Sequence, residues 1–206
     1  MIPFDQVGAV ECSASNRMVP MSRLPTLSAP EIATDHLVLR KAHDNDRAGL
    51  IDLQTDPAVR TYLGGPRSRS DVEQYLNAIG IANVTAAPGV YVIADNNTNL
   101  LIGTLMLCRR SADQPGHVTE DGEELELTYV LRRDAWGAGF AFEAASAVLR
   151  AAATELPDQP VLIVTQTAND RSLKLASRLG FQPVGTFEAF GALQTLATAR
   201  LHSFKV

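Results

Sequence analysis

Apolar and polar positions along this chain change period several times, and each change marks an element. In TDHLVLRK, from Thr34, Leu37 and Leu39 recur at the two-residue period of a half-buried strand. Asp44, Asn45 and Asp46 then offer capping oxygens for a helix through Leu50, Ile51 and Leu53, which Asp56 and Pro57 punctuate. Val72, Tyr75, Leu76 and Ile79 fall at i, i+3, i+4 and i+7, predicting a second helix over 72–79 with Ser70 or Asp71 as its cap. Two β-rich runs, 90–95 and 100–107, flank the turn-rich Asn96-Asn97-Thr98-Asn99 and predict an antiparallel hairpin.

A polar loop rich in Gly, Pro, Asp and Glu leads to a third run of strand character over 125–131. After a short turn comes Trp136-Gly137-Ala138-Gly139-Phe140-Ala141 and an alanine-rich helix. Pro160 precedes Val161-Leu162-Ile163-Val164, a continuous apolar run of the buried-strand kind. Asn169 or Asp170 caps a last helix ending at Gly180, the usual residue just past a helix C-terminus. The stretch 187–204 contains further β-leaning pieces, among them LQTLATARL. The order β-α-α-β-β-β-α-β-α-β-(β) predicts an α/β (α+β) domain, a mixed sheet covered by helices. Residues 1–31 show neither period and are rich in Ser and Pro, so they read as a flexible arm before a single domain over 32–206.

Composition narrows the function. At 206 residues and 46% hydrophobic content, one domain with a full core is expected. A net charge of −5 without clustered Lys and Arg argues against a nucleic-acid partner. The N-terminus lacks the basic and continuous apolar regions of a signal peptide, and no apolar run is long enough to span a bilayer. Cys12 and Cys108 fit neither a disulfide framework nor a metal spacing, and His36, His43, His117 and His202 are scattered. The expectation is a reduced, cytoplasmic protein with no metal and no membrane partner.

The strand–glycine turn–helix at 125–153 carries the chemistry. The first turn of a helix leaves N–H groups without intrahelical partners and holds the positive end of the macrodipole, so it can bind phosphate. Gly137 and Gly139 present no Cβ to keep a pyrophosphate away, and they tolerate positive φ. An ordinary βα turn has the same appearance. The spacing excludes the commoner nucleotide loops: Phe142 stands where a GxGxxG motif has its third small residue, and no Lys-Ser/Thr follows.

With these residues in place, the chain from about Thr34 to Leu201 resembles the GNAT N-acetyltransferase superfamily, in particular its RimJ/RimL-like ribosomal-protein N-terminal acetyltransferase branch. Trp136-Gly137-Ala138-Gly139-Phe140-Ala141 is similar to the family's Gln/Arg-x-x-Gly-x-Gly/Ala acyl-CoA signature, with Trp in the first place. Asn169-Asp170-Arg171-Ser172, with Gly180-Phe181, resembles its Asn-x-x-Ser and Gly-Phe pattern. The opening Thr34 to Arg40, Asp56-Pro57 with Val59, and Glu126-Leu127-Thr128-Tyr129 resemble further motifs of the branch, in order.

The resemblance implies a GNAT acyl-CoA N-acyltransferase fold, mostly antiparallel, with helices on both faces and acetyl-CoA lying between splayed strands four and five, here 125–131 and 161–165. It implies direct acetyl transfer to a primary amine, on a protein N-terminus or a small molecule. Backbone groups around Val130 and Leu131 would hold the pantetheine and polarise the thioester carbonyl. Trp136, Gly137, Ala138, Gly139, Phe140 and Ala141 would form the pyrophosphate cradle. Asn169 would contact the pantetheine arm, and it also suits a helix N-cap. Ser172 is a further cofactor contact or a first-turn helix residue.

An attacking amine must be neutral, and Glu126 is the candidate to receive its proton. Strand alternation puts Glu124, Glu126 and Thr128 on one face, where an outward, solvated carboxylate is the competing reading. Many superfamily members place a Tyr on the helix after Asn-x-x-Ser to assist the leaving thiolate. This chain has Ala176 there, leaving water, Tyr129 or no acid. That substitution keeps a second class open, an acyl-CoA-binding sensor without turnover. A homodimer is compatible with either class.

Overall fold

The computed structural model describes residues 24–205, so expectations for the first 23 residues, and for Cys12, lie outside the described residues. The chain forms β1 (Ile32–Ala33), β2 (Leu37–Arg40), α1 (Arg47–Thr55), α2 (Arg69–Ile79), β3 (Val90–Asp95), β4 (Leu101–Arg109) and β5 (Leu125–Leu131). It continues with α3 (Phe140–Glu155), β6 (Pro160–Gln166), α4 (Asp170–Arg178), β7 (Gln182–Ala189) and β8 (Ala192–Arg200). The strands make one mixed sheet in the order β1-β2-β3-β4-β5-β6-β8-β7. The two-residue β1 precedes the expected first strand, so the strands expected as four and five are β5 and β6.

Alternation in β3 shows how the two layers form. Tyr91 and Ile93 point into a core shared with Val148, Leu149 and Ala152 of α3. Val92 and Ala94 point the other way, into a core with Leu50 and Leu53 of α1 and Val72 and Leu76 of α2. A central strand buried on both faces reads as a continuous apolar run, as VYVIAD does. The hairpin turn is tied by Asp95, whose Oδ1 accepts from the backbone N–H groups of Asn97 and Thr98 at 3.0 and 2.8 Å.

Three local expectations are corrected. Asp44–Asp46 forms its own 3₁₀ turn, and α1 starts only at Arg47. Asp46 is drawn instead into a buried bidentate pair with Arg40, at 2.8 and 2.9 Å, which joins the end of β2 to the start of α1. The cap of α2 is Ser68, not Ser70 or Asp71, because the Ser68 hydroxyl accepts from the Asp71 N–H at 3.1 Å. The C-terminal hairpin begins at Gln182, five residues before the expected 187, because Gly180 turns the chain at φ +95° and seats Phe181 in the core directly after α4.

Residues 24–31, read from sequence as part of the arm, run along the domain. Leu27 is fully buried, the Tyr91 hydroxyl donates to the Ala29 carbonyl at 2.6 Å, and the Ser28 N–H donates to Glu155 at 2.8 Å.

The functional geometry begins where β5 and β6 separate. They pair in parallel only at Leu125 with Val161 and Glu126 with Leu162. From there β5 follows β4 through a regular register ending at Gly103 opposite Leu131, while β6 follows β8 to Gln166 opposite Gln194. Gly103 sets how closely β4 approaches the upper part of β5, since a Cβ on it would lie 2.4 Å from the Val130 carbonyl oxygen and 2.5 Å from Leu131 Cδ2. Gly103→Ala therefore overpacks this contact and should cost about 1–3 kcal/mol in urea unfolding, with an unchanged m-value.

Candidate active site

The turn between β5 and α3 has the conformation and the free space that phosphate binding requires. Gly137 and Gly139 adopt φ +82° and +87°, and a Cβ on either would meet nothing within 4 Å. The backbone thus needs glycine, and the space in front of it is open. Gly139 is the N-cap of α3 and supplies no side chain to cap it. Among the described residues, no carbonyl accepts from the N–H groups of Gly137, Ala138, Phe140 or Ala141. Glu143, the acid in the first turn, is turned away from this end. Its Oε1 accepts from the Thr34 hydroxyl at 2.6 Å and the His36 N–H at 2.9 Å. What remains at the helix end is a set of open donors in the field of a sixteen-residue helix, a fit for a pyrophosphate.

Trp136 braces the cradle. Its Nε1 donates to the Leu131 carbonyl at 3.0 Å, and Arg171 at the start of α4 lies 4.6 Å from its ring centroid. The indole therefore ties the glycine turn back to the end of β5 and across to α4. Arg132 pairs with Asp134 at 2.9 Å, and together with Arg133 it lines a groove shared with Asp52 of α1 and Asp56 just past its end.

Between the cradle and the point where β5 and β6 part, the residues expected around the pantetheine converge. Val130 and Leu131 lie on the stretch of β5 that has left β6. Across the gap, Asn169 is the N-cap of α4, accepting from the Ser172 N–H at 3.3 Å and donating to the Thr165 hydroxyl at 3.2 Å. The Ser172 hydroxyl lies 2.9 Å from that of Tyr129, bridging β5 and α4. Burial pushes the Tyr129 phenol up, against the opposing effect of the Ser172 hydrogen bond. Ala176 is a buried methyl one turn further along α4.

Glu126 sits at the apex of the divergence and is buried rather than outward and solvated. It is 8% exposed and its Oε2 lies 2.6 Å from Arg110 Nη1, on the other side of the β4–β5 hairpin. Burial pushes its carboxyl up, and the charge and hydrogen bond of Arg110 pull the other way. Arg110 also donates to the Pro115 carbonyl and lies 6.0 Å from the Phe187 ring centroid. Arg110 was invisible to sequence reasoning because it is 16 residues from Glu126. Only the hairpin register, which continues past Arg109 opposite Leu125, brings the two together.

The acidic loop before β5 has a buried anchor in Glu124. Glu124 Oε1 accepts from the N–H groups of Val118 and Thr119 and from the Thr119 hydroxyl, at 2.7, 2.8 and 2.9 Å. Its Oε2 lies 2.6 Å from His117 Nδ1. Burial raises the Glu124 carboxyl, but the bonds from His117 and the loop backbone outweigh it and hold the group at about 2. Among the described residues, no group of three or more His, Cys, Asp or Glu could hold a metal, and no helix is long and apolar enough to cross a membrane.

A mixed sheet whose central strands part, with helices on both faces, is the architecture of the GNAT fold. A family model described as acetyltransferase (GNAT) domain matches residues 36–182, and the chain belongs to this family. The uncharacterized N-acetyltransferase p20 of Bacillus licheniformis is 28% identical over 155 residues, spanning 74% of this chain and 82% of that protein. A GNAT-family acetyltransferase from Bacillus anthracis superposes with a TM-score of 0.66 at 17% identity, over 83% of this chain and 98% of its own. RimL, a ribosomal L7/L12 α-N-protein acetyltransferase solved with coenzyme A, superposes with a TM-score of 0.61 at 14% identity, over 84% of this chain and 99% of its own.

The Glu124 anchor makes the loop sensitive to acid. Its carboxyl is held below the ordinary 4.5, so its stabilising contribution is present at higher pH and is lost as pH falls from about 4.5 through about 2. Amide protection across 111–124, measured relative to the intrinsic exchange rate at each pH, should fall over that window in the wild type. In Glu124→Gln that protection should already be low at neutral pH and show no such step.

Proposed function

We propose that this protein transfers the acetyl group of acetyl-CoA directly to a primary amine, on a protein N-terminus or a small molecule, as the RimJ/RimL-like branch does. The observation that carries the reading is the pair of left-handed glycines before an uncapped α3, opening onto the gap between β5 and β6. In this reading the N–H groups of 137–141 hold the pyrophosphate, with Trp136 bracing them. Backbone groups of Val130 and Leu131 hold the pantetheine and polarise the thioester carbonyl. Asn169 and Ser172 line the other wall.

Glu126 is the proposed acceptor of the amine proton. A carboxyl raised by burial is a better base than a solvated one, and it lies on the face of β5 to which Val130 and the α1–α2 core belong. The Arg110 pair gives the alternative its support, since a carboxylate already bonded to a guanidinium is a poorer base. On that reading the chain is a non-catalytic acyl-CoA sensor.

Thermal unfolding with acetyl-CoA, coenzyme A and ATP tests the cradle. Ligand at about 100 times its dissociation constant should add roughly 2.7 kcal/mol, with both CoA compounds shifting the transition and ATP not. No shift with any of them in folded protein would sink the acyl-CoA reading. With an amine panel, Glu126→Gln should lower kcat/KM by roughly 10²–10⁴ while leaving the acetyl-CoA shift intact. Binding without multiple turnovers for any amine would favour the sensor.

A further inference from the structure

We propose that Arg110 is a positioning residue for Glu126: it holds one oxygen of the carboxylate, leaves the other to take the amine proton, and keeps the buried group charged until it does. The inference rests on the acetyl-transfer reading above and adds to it the side chain that makes Glu126 usable as a base.

The first argument is geometry. Cys108 of β4 stands opposite Glu126 of β5, so Arg110, two residues on, shares that sheet face and lies diagonal to the carboxylate. Its Nη1 is 2.6 Å from Glu126 Oε2. Oε1 accepts no hydrogen bond from a described residue and still reaches solvent. With one oxygen tied and one open, the carboxylate has a set direction from which a proton can arrive.

The second argument is how firmly Arg110 is itself held. Its backbone N–H donates to the Glu124 carbonyl at 2.9 Å, its Nη2 donates to the Pro115 carbonyl, and the Phe187 ring of β7 is centred 6.0 Å from its guanidinium carbon. Phe187 is seated on Gly116, where a Cβ would stand 2.2 Å from the ring. The guanidinium is thus fixed from the start of β5, from the loop and from β7, so it orients Glu126 rather than following it.

The third argument is chemical. Arg110 is buried, and its Nε has no hydrogen-bond partner among the described residues. A buried ion pair with an unmet donor is a weak stabiliser, and apolar replacements of similar volume are often at least as stable. Burial pushes the Glu126 carboxyl up, while Arg110, by charge and hydrogen bond, and His117, by charge, pull it down. His117 is itself bonded to Glu124, at 2.6 Å. The other neighbours are Cys108, whose thiol donates to the Pro88 carbonyl, Leu162 of β6 and the apolar α1–α2 core. A carboxyl already protonated by burial could take nothing from an amine, and Arg110 is the group that keeps it ionised. The amine lone pair forms the C–N bond, the C–S electron pair leaves with sulfur, and the nitrogen proton goes to Oε1 and then to water.

The test has two readouts. The first needs neither cofactor nor acceptor: NMR titration of the labelled glutamate carboxyl carbons, with Glu126 assigned by its loss in Glu126→Gln. Arg110→Met should move the Glu126 titration up by about one pH unit or more, and Arg110→Lys, which returns the charge, should bring it back towards wild type. Should Arg110→Met not fold, Arg110→Gln carries the same comparison. The second readout is the acid limb of kcat/KM with an amine that is acetylated, which should move with the carboxyl in each variant, about tenfold in rate per pH unit on the acid side. A Glu126 titration unmoved in a folded neutral variant, or an acid limb that stays in place when the titration moves, would overturn the role of Arg110. An undiminished kcat/KM in Glu126→Gln, or no turnover with any amine, would remove Glu126 as the base and this inference with it, while the coenzyme A thermal shift separately reports on the acyl-CoA reading.

Discussion

The parting of β5 from β6 is the constraint on which the rest of the molecule depends. Two strands that pair at two positions and then diverge leave backbone N–H and C=O groups inside a domain without ladder partners, which is costly unless something else satisfies them. The divergence is sustained because each strand has a better partner on its other side. Seven residue pairs hold β5 to β4, and seven hold β6 to β8. The sheet behaves as two wings hinged at Glu126 and Leu162, and the open edges are where a ligand's amides can substitute for a strand.

The helices are arranged around that opening. The α1–α2 layer and the α3–α4 layer bury opposite faces of the same strands, so each side of the gap has its own environment. On the α3–α4 side the walls are joined by neutral hydroxyl and amide groups of Tyr129, Ser172, Asn169 and Thr165. On the acceptor side proposed here, the groups at the apex are charged and compensated.

That compensation separates two carboxylates only two residues apart. Glu124 gathers three hydrogen bonds from the loop and one contact with His117, and its carboxyl is held at about 2. Glu126, with burial dominant and one guanidinium beside it, is pushed the other way. Environments that drive neighbouring acids apart divide structural from chemical duty. Glu124 is the anchor of a loop, and Glu126 is the group to which the reading proposed here gives the proton exchange.

The sequence by itself determined the main elements, their order and the glycine turn before α3, because these are written in local signals. The period of Val72, Tyr75, Leu76 and Ile79 gave α2, the apolar run after Pro160 gave β6, and Gly137 and Gly139 marked a turn that needs positive φ. Asn169 was legible as a helix cap and is one. Tertiary structure alone decided which side chains meet. Arg110 reaches Glu126 across a hairpin, Tyr129 reaches Ser172 across 43 residues, and Leu27 enters the core from a segment with no periodic pattern. Burial of Glu126 was equally hidden, since alternation places a residue on a face but cannot say whether a loop and a distant arginine will cover it. Periodicity and turn chemistry act within a few residues, whereas contacts between strands and helices are fixed by register and packing over the whole chain.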